Sequence, residues 1–283
     1  MKVLVTGAGG LLGHAVAPAL TRAGHEVVAL GHAELDVTDA AAFTERAVAA
    51  RPDWIFHLAA WARVDDCEAD PLRAHRVNAE GSANAAAAAE RAGARLLAIS
   101  SDYVFDGAAS SPYREDDRVG PVNVYGASKL AGEQAIRASG APHLIVRTAW
   151  LFGPGGGNFV DAILKKARAG EDPSVVDDQR GSPTSTLDLA GGLVRLAERA
   201  ENGTYHVVSD GTASWHELAV AAVRAARLGV EVRRTTTAAL ARPARRPAYS
   251  ALDTEKFARN AGSRLPHWSD AVVRHVRESR EAA

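Results

Sequence analysis

The chain has 283 residues, 47% apolar and 24% charged, with 33 basic side chains against 34 acidic ones and a formal net charge of -1. That length supports one large core, or a core with a smaller lobe, and the charge balance offers no field of one sign to nucleic acid or a membrane surface. One cysteine, Cys67, excludes an internal disulfide framework and fits a reducing compartment.

The N-terminal apolar run from Met1 is too short for a signal peptide, and no stretch reaches membrane-span length, so a cytoplasmic protein is expected. Lys2 to Thr6 reads as a short strand ending in glycines. Leu11, Leu12, Val16, Ala19, Leu20 and Ala23 then recur at helical spacing up to Gly24. Glu26 to Leu30 is a second strand, and Asp39 to Ala50 a helix with Thr38 as N-cap. Trp54 to Leu58 is a third strand. Leu72 to Ala92 is a long helix stopped near Gly93, in which Ala85 to Ala89 read as helix filler. Leu96 to Ser100 (strand), Ser128 to Ser139 (helix) and His143 to Thr148 (strand) follow. Strands alternating with helices predict an α/β fold, a doubly wound parallel sheet covered on both faces.

After Trp150 the rhythm loosens. A glycine loop, Gly153 to Gly157, leads into a helix from Asn158 to Ala169. Then come a strand at Ser174 to Val176, a helix at Leu187 to Ala200, a strand at Tyr205 to Val208 and a helix at Trp215 to Arg227. A polar loop spans Thr235 to Pro247, and an amphipathic helix spans Trp268 to Ala283. The expected division is a dinucleotide-binding domain over 1–152, with 183–202 returning to it, and a substrate-binding lobe from 153–182 and 203–283.

Gly7, Gly10 and Gly13 stand directly after a strand and open a helix. Glycines let the backbone turn sharply and approach a pyrophosphate, and the helix N-terminus favours its charge. This context points to a Rossmann-type dinucleotide site. An acid at the end of the second strand would bond the ribose hydroxyls and favour NAD. Gly31 and His32 stand there instead, so NADPH and NADH are both allowed, with a lean to NADPH. Asp36 reads equally well as a residue beside the adenine or as a turn acid before the helix.

Tyr125 and Lys129 share a helix face one turn apart. An ammonium beside a phenol favours the phenolate and moves its pKa down towards the working range. Ser101 closes the fourth strand, on the side where a doubly wound sheet binds ligands, and its hydroxyl can polarise a carbonyl. Together they read as the Ser–Tyr–Lys set of a ketone reductase. His57, ending a buried strand, reads as structural, and Cys67 as inert.

These residues resemble an extended short-chain dehydrogenase, and several segments are similar to the dTDP-4-dehydrorhamnose reductase family. They are Ser100 to Gly107, Asn123 to Glu133, Arg147 to Gly153 with Asn158-Phe159, Gln179 to Thr184 and Arg246 to Asp253. The resemblance implies an NAD(P)H-dependent oxidoreductase acting on a nucleotide-linked 4-keto-6-deoxy sugar. It implies that Gly10, Leu11 and Leu12 line the pyrophosphate, that Asp36 and Val37 flank the adenine, and that Ala60, Trp61 and Ala62 edge the cofactor. Tyr125 and Lys129 would meet the nicotinamide ribose. Ser101, Asp102 and Trp150 would touch the sugar, with Val64 and Asp65 near the nucleotide.

The chain departs from the family at Ser101 and Ala62, where threonine is usual. It has Ala15 where some members place a glutamate that holds magnesium at a dimer interface. No metal is therefore expected, and a homodimer stays open. The competing readings are another sugar-nucleotide 4-ketoreductase, an epimerase, a non-catalytic regulatory subunit of the same fold and a dinucleotide sensor.

Overall fold

In the computed structural model, which describes residues 1–281, the chain alternates strand and helix through its first half. The order is β1 (Lys2–Thr6), α1 (Gly13–Arg22), β2 (Glu26–Leu30), α2 (Ala40–Ala50) and β3 (Trp54–His57). Two short helices, α3 (Val64–Ala69) and α4 (Pro71–His75), then run through a π turn at Arg76–Glu80 into α5 (Gly81–Ala92). β4 (Arg95–Ser101), α6 (Val124–Ala138) and β5 (His143–Thr148) complete this half. Beyond it lie α7 (Phe159–Arg168), α8 (Thr186–Arg199), β6 (Gly203–His206), α9 (Trp215–Ala225), α10 (Thr237–Leu240), α11 (Glu255–Ala261) and α12 (Trp268–Glu281). The expected C-terminal helix extends to 283, and Ala282 and Ala283 lie outside the described residues. No described helix is long and apolar enough to cross a membrane.

The six strands form one parallel sheet in the order β6-β5-β4-β3-β1-β2. Successive strand side chains point to opposite faces. Val3, Val5, Phe56, Leu97, Leu144 and Val146 therefore pack under α1 and α8, against Val16, Leu20, Leu189, Leu193 and Leu196. Leu4, Ile55, Leu96, Ala98 and Ile145 pack on the other face against α2, α5 and α6, among Phe43, Ala47 and Ile136. Each large side chain fully buried there stabilises the fold by about 1.5–3 kcal/mol. The alanine run is more than filler. Ala85, Ala86, Ala88 and Ala89 are buried in this core and only Ala87 faces out, and small side chains let α5 lie close to its neighbours.

The second half builds a smaller core from α7, α9 and α12 around Phe152, Val160, Leu218, Trp268 and Val272. The expected division needs one correction. Residues 203–206 belong to the large sheet as its outer strand, with Tyr205 opposite Val146 and His206 opposite Arg147. In addition, α11 packs Phe257 and Ala261 into the same core as α8. Four residues carry too little periodicity to say which sheet they join; the open edge of β5 decides it.

Two boundaries also differ from expectation. The cap of α2 is Asp39, whose carboxylate accepts from Ala42 N–H at 3.0 Å, while the Thr38 hydroxyl donates to Asp36 at 2.9 Å. A carboxylate is the stronger acceptor for the positive end of a helix. Helix α6 starts at Val124, not Ser128, because Asn123 caps it by accepting from Gly126 N–H at 2.8 Å.

Candidate active site

β1 and β3 are neighbours whose chains lead to opposite halves of the sheet, so their C-terminal ends open a crevice. Gly7 leaves β1 at φ +70°, and a Cβ there would come 2.7 Å from the backbone nitrogen of Ala59. Gly13 starts α1 so close to the turn that a Cβ would lie 2.4 Å from the Gly7 carbonyl. Gly10 N–H donates to that carbonyl at 3.0 Å. No side chain caps α1, unlike α2 and α6. A tight glycine turn under an uncapped helix start fits a pyrophosphate. The crevice widens into a cleft of ≈ 780 Å³ between sheet and lobe. Gly7, Gly10, Leu11, Leu12, Gly13, Ala60 and Ala62 line its sheet side, with Val64 beside them.

Three residues assigned to the cofactor do not line the cleft. Val37 is buried, with its methyl 3.0 Å from where a Cβ of Gly81 would be. Asp36 takes the turn role: its Oδ1 accepts from both Thr38 N–H and Thr38 Oγ1 at 2.9 Å. Those bonds hold its carboxyl below the usual range. Trp61 turns away, its ring under the Arg73 guanidinium at 4.5 Å. Its backbone is fixed by Asn78, which accepts from Trp61 N–H at 2.8 Å and donates to Trp61 O at 3.1 Å and Ser128 Oγ at 2.9 Å. Asn78 lies in the π turn, which aims this buried amide between the β3 loop and α6. Nothing in the sequence pattern marked it.

The end of β2 is also not free of acid. Glu34 folds back, and its Oε2 accepts from Gly31 N–H at 2.8 Å. From the sequence, Glu34 and Asp36 are the nearest acids to the strand end, which Gly31 and His32 hold. A tight turn brings in one from three residues on.

Ser101, Tyr125 and Lys129 come together on the cleft floor. The Tyr125 phenol lies beside Ser101, whose hydroxyl pulls its pKa down, but burial, the largest influence, raises it well above the ordinary value. The net shift is upward, so burial outweighs the lowering expected from the pairing of Tyr125 with Lys129. Burial instead pushes Lys129 down to about 8, against the pull of Glu133 upward. Ser101 Oγ donates to Asp102 Oδ1 at 3.0 Å, and burial raises the Asp102 carboxyl to about 7. Asp102 Oδ2 is buried with no partner. Behind the lysine, Glu133 accepts from Arg147 Nε at 2.9 Å, Arg147 Nη2 at 2.8 Å and Ser100 Oγ at 2.6 Å. His57 is fully buried, bonded to Thr6 Oγ1 at 2.9 Å, and its pKa is lowered by burial to about 3, so it is a neutral structural group. Cys67 is buried at 3.5 Å from Trp61 O, its thiol pushed up to about 11 by burial. Among the described residues, no three metal-ligating side chains gather.

The lobe forms the opposite wall. Trp150 takes φ +47°, which a non-glycine residue holds only under constraint. Its indole stacks on Trp215, with centroids 3.7 Å apart and planes within 6°, and its Nε1 has no partner. Trp215 Nε1 donates to Gln179 Oε1 at 3.2 Å, and Gln179 Nε2 to Thr237 Oγ1 at 2.8 Å. Asp65 does not line the cleft. It holds Arg246 and Arg242, which do, and accepts from Ala244 N–H at 3.1 Å. The hydrogen bond from Arg246 is the main reason its carboxyl lies far below the usual range. Trp215, Gln179, Arg242 and Arg246 were not singled out as site residues from sequence. Arg242 and Trp215 stood in an expected loop and helix far along the chain with no local motif, and Gln179 and Arg246 opened family-like segments that carried no role of their own.

Known proteins resemble this chain over nearly its whole length. The family described as the RmlD substrate binding domain matches residues 1–281. The dTDP-4-dehydrorhamnose reductase of Streptomyces griseus is 44% identical over 279 residues, covering 95% of this chain and 91% of its own. The Bacillus subtilis spore coat polysaccharide biosynthesis protein SpsK is 39% identical over 281 residues, covering 99% of each. A probable dTDP-4,6-dihydroxy-2-methyloxan-3-one 4-ketoreductase of Streptomyces antibioticus is 37% identical over 277 residues, covering 96% of this chain and 93% of its own. Crystal structures of dTDP-4-dehydrorhamnose reductases from Clostridium acetobutylicum and, in complex with NADP, from Bacillus anthracis superpose with TM-scores of 0.95 and 0.94, each at 36% identity. They cover 99% and 98% of this chain, and 100% and 99% of their own.

Proposed function

Because the chain belongs to the dTDP-4-dehydrorhamnose reductase family of extended short-chain dehydrogenases, as an NAD(P)-dependent reductase, we propose that it reduces dTDP-4-dehydro-L-rhamnose at C4 to dTDP-L-rhamnose. The observation that carries this reading is the Tyr125 phenol held against Ser101 on the floor of the cleft that the glycine turn opens.

A reduced nicotinamide, when bound on the sheet side, supplies the hydride. Tyr125 donates the proton to the oxygen that becomes the alkoxide. Burial keeps the phenol protonated, which is the form that a reduction consumes. Lys129 is mostly ammonium at neutral pH and lies one helical turn away. Its charge meets no phenolate before the transfer and meets one afterwards, so its stabilisation is realised in the transition state. Lys129 also holds the ribose of the cofactor. Ser101 fixes the tyrosine oxygen, and polarises the ketone once its proton turns from Asp102. Trp150, which lines the cleft, offers an apolar surface to the sugar. Arg242 and Arg246, set by Asp65, face the diphosphate.

Tyr125→Phe tests the reading. With a dTDP-4-keto sugar and the reduced dinucleotide, turnover falls by about 10²–10⁴-fold, while titration of dinucleotide binding stays within twofold of the parent. Full turnover in this variant would refute the role. The product configuration, read by NMR, tests the sugar. A product other than the rhamno sugar would favour a second reading, a 4-ketoreductase of another deoxysugar, which the Streptomyces antibioticus relative supports.

A further inference from the structure

We infer that Glu34 selects the nicotinamide dinucleotide that lacks a 2'-phosphate. The inference rests on the reading of the cleft as a dinucleotide site, and it reverses the lean to NADPH drawn from sequence.

The residue after β2 is where an acid ordinarily receives the adenosine ribose hydroxyls, and here it is Gly31. Glu34 Oε2 accepts from Gly31 N–H at 2.8 Å. A Cβ on Gly31 would lie 2.8 Å from that same oxygen and 4.0 Å from Gly9 N, in the glycine turn. The carboxylate of Glu34 therefore sits against the end of β2, in space that a side chain at position 31 would contest, and the bare glycine makes the room for it. The turn is fixed: Glu34 N–H and Leu35 N–H both donate to Gly31 O, at 3.2 and 3.1 Å. Glu34 Oε1 has no partner among the described residues, so it is available to ribose hydroxyls. Asp36 stands close by as a second carboxylate, its charged form favoured chiefly by Thr38 and only slightly by His32 and Arg76. A 2'-phosphate would place its charges against Glu34 with no cation assigned to it.

The test needs no sugar. The Kd values of NADH and NADPH are measured separately by nicotinamide fluorescence titration in the parent, Glu34→Ala, Glu34→Gln and the double variant Gly31→Asp/Glu34→Ala. The parent binds NADH more tightly. Both single variants gain about tenfold in NADPH affinity, as expected when a like charge near a phosphate is removed, and lose only a few-fold for NADH. The double variant returns the carboxylate to the strand end and restores the preference for NADH. A parent that prefers NADPH, or an NADH-to-NADPH ratio unmoved in the single variants, overturns the inference. Failure of the parent to bind either dinucleotide would overturn the site reading and this inference with it, whereas failure to reduce a keto sugar would leave it standing.

Discussion

The two walls of the cleft are made by different means. The sheet-side wall comes from short segments: seven residues carry Gly7 to Gly13, and one helical turn carries Tyr125 to Lys129. Backbone geometry alone sets those distances. The lobe-side wall comes from side chains far apart in the chain, Trp150 on Trp215 and Asp65 on Arg242 and Arg246. On the proposed function the first wall serves the dinucleotide and the second the sugar nucleotide. On that reading, cofactor binding and substrate selection are separable in this molecule.

The largest expected effect is on the support of the sheet-side wall. Glu133→Gln leaves Arg147, 2% exposed, without its carboxylate. The loss of stability is about 3–5 kcal/mol by denaturant unfolding, and a loss below about 1 kcal/mol would mean that α6 is held by packing alone. Burial by itself would raise Glu133, but Arg147, Ser100 and Arg137 hold its pKa below the ordinary value. Its contribution is therefore present above the unfolded pKa and fades as pH falls through the lower folded pKa, so the gap between parent and variant narrows in acid.

The lobe-side wall is broken next by Trp215→Ala, which removes the stack under Trp150 and the anchor on Gln179. KM for the sugar nucleotide rises about tenfold, with kcat within a few-fold and dinucleotide affinity unchanged. A parallel fall in dinucleotide affinity would show that the two walls are not independent.

A pH-linked effect sharpens the boundary between them. Asp102 is raised to about 7 by burial. The fold therefore binds its proton more tightly than the unfolded chain, and that benefit is complete below about pH 4 and lost as pH rises through 7. Asp102→Asn then stabilises by roughly 1–3 kcal/mol at pH 8 relative to pH 4. Thermal melts showing the same gap at both pH values would mean that the carboxyl does not titrate in this range.

Much of the fold could be read from residues alone, because period-two strands, period-3.6 helices and glycine punctuation act over a few positions. The alternation through Thr148 predicted a parallel doubly wound sheet, which the six strands form. The glycine turn and the Ser101, Tyr125, Lys129 set were legible for the same reason. Asp36 and Trp61 do not line the cleft. An acid before a helix has two local uses, and Asp36 Oδ1 makes the turn bond to Thr38. Trp61 was placed by Asn78, which reaches it from a π turn that no spacing rule announced.

The sequence by itself determined the alternation of strands and helices, the glycine turn and the one-turn spacing of Tyr125 and Lys129, because each follows from distances along one strand, turn or helix. Only the tertiary structure decided that Gly203–His206 closes the sheet edge, that Glu34 returns a carboxylate to the end of β2, and that Trp215 and two arginines face the glycine turn. The physical reason is that a side chain's partner across space is set by packing and by the folding-back of loops. Neither leaves a period in the chain.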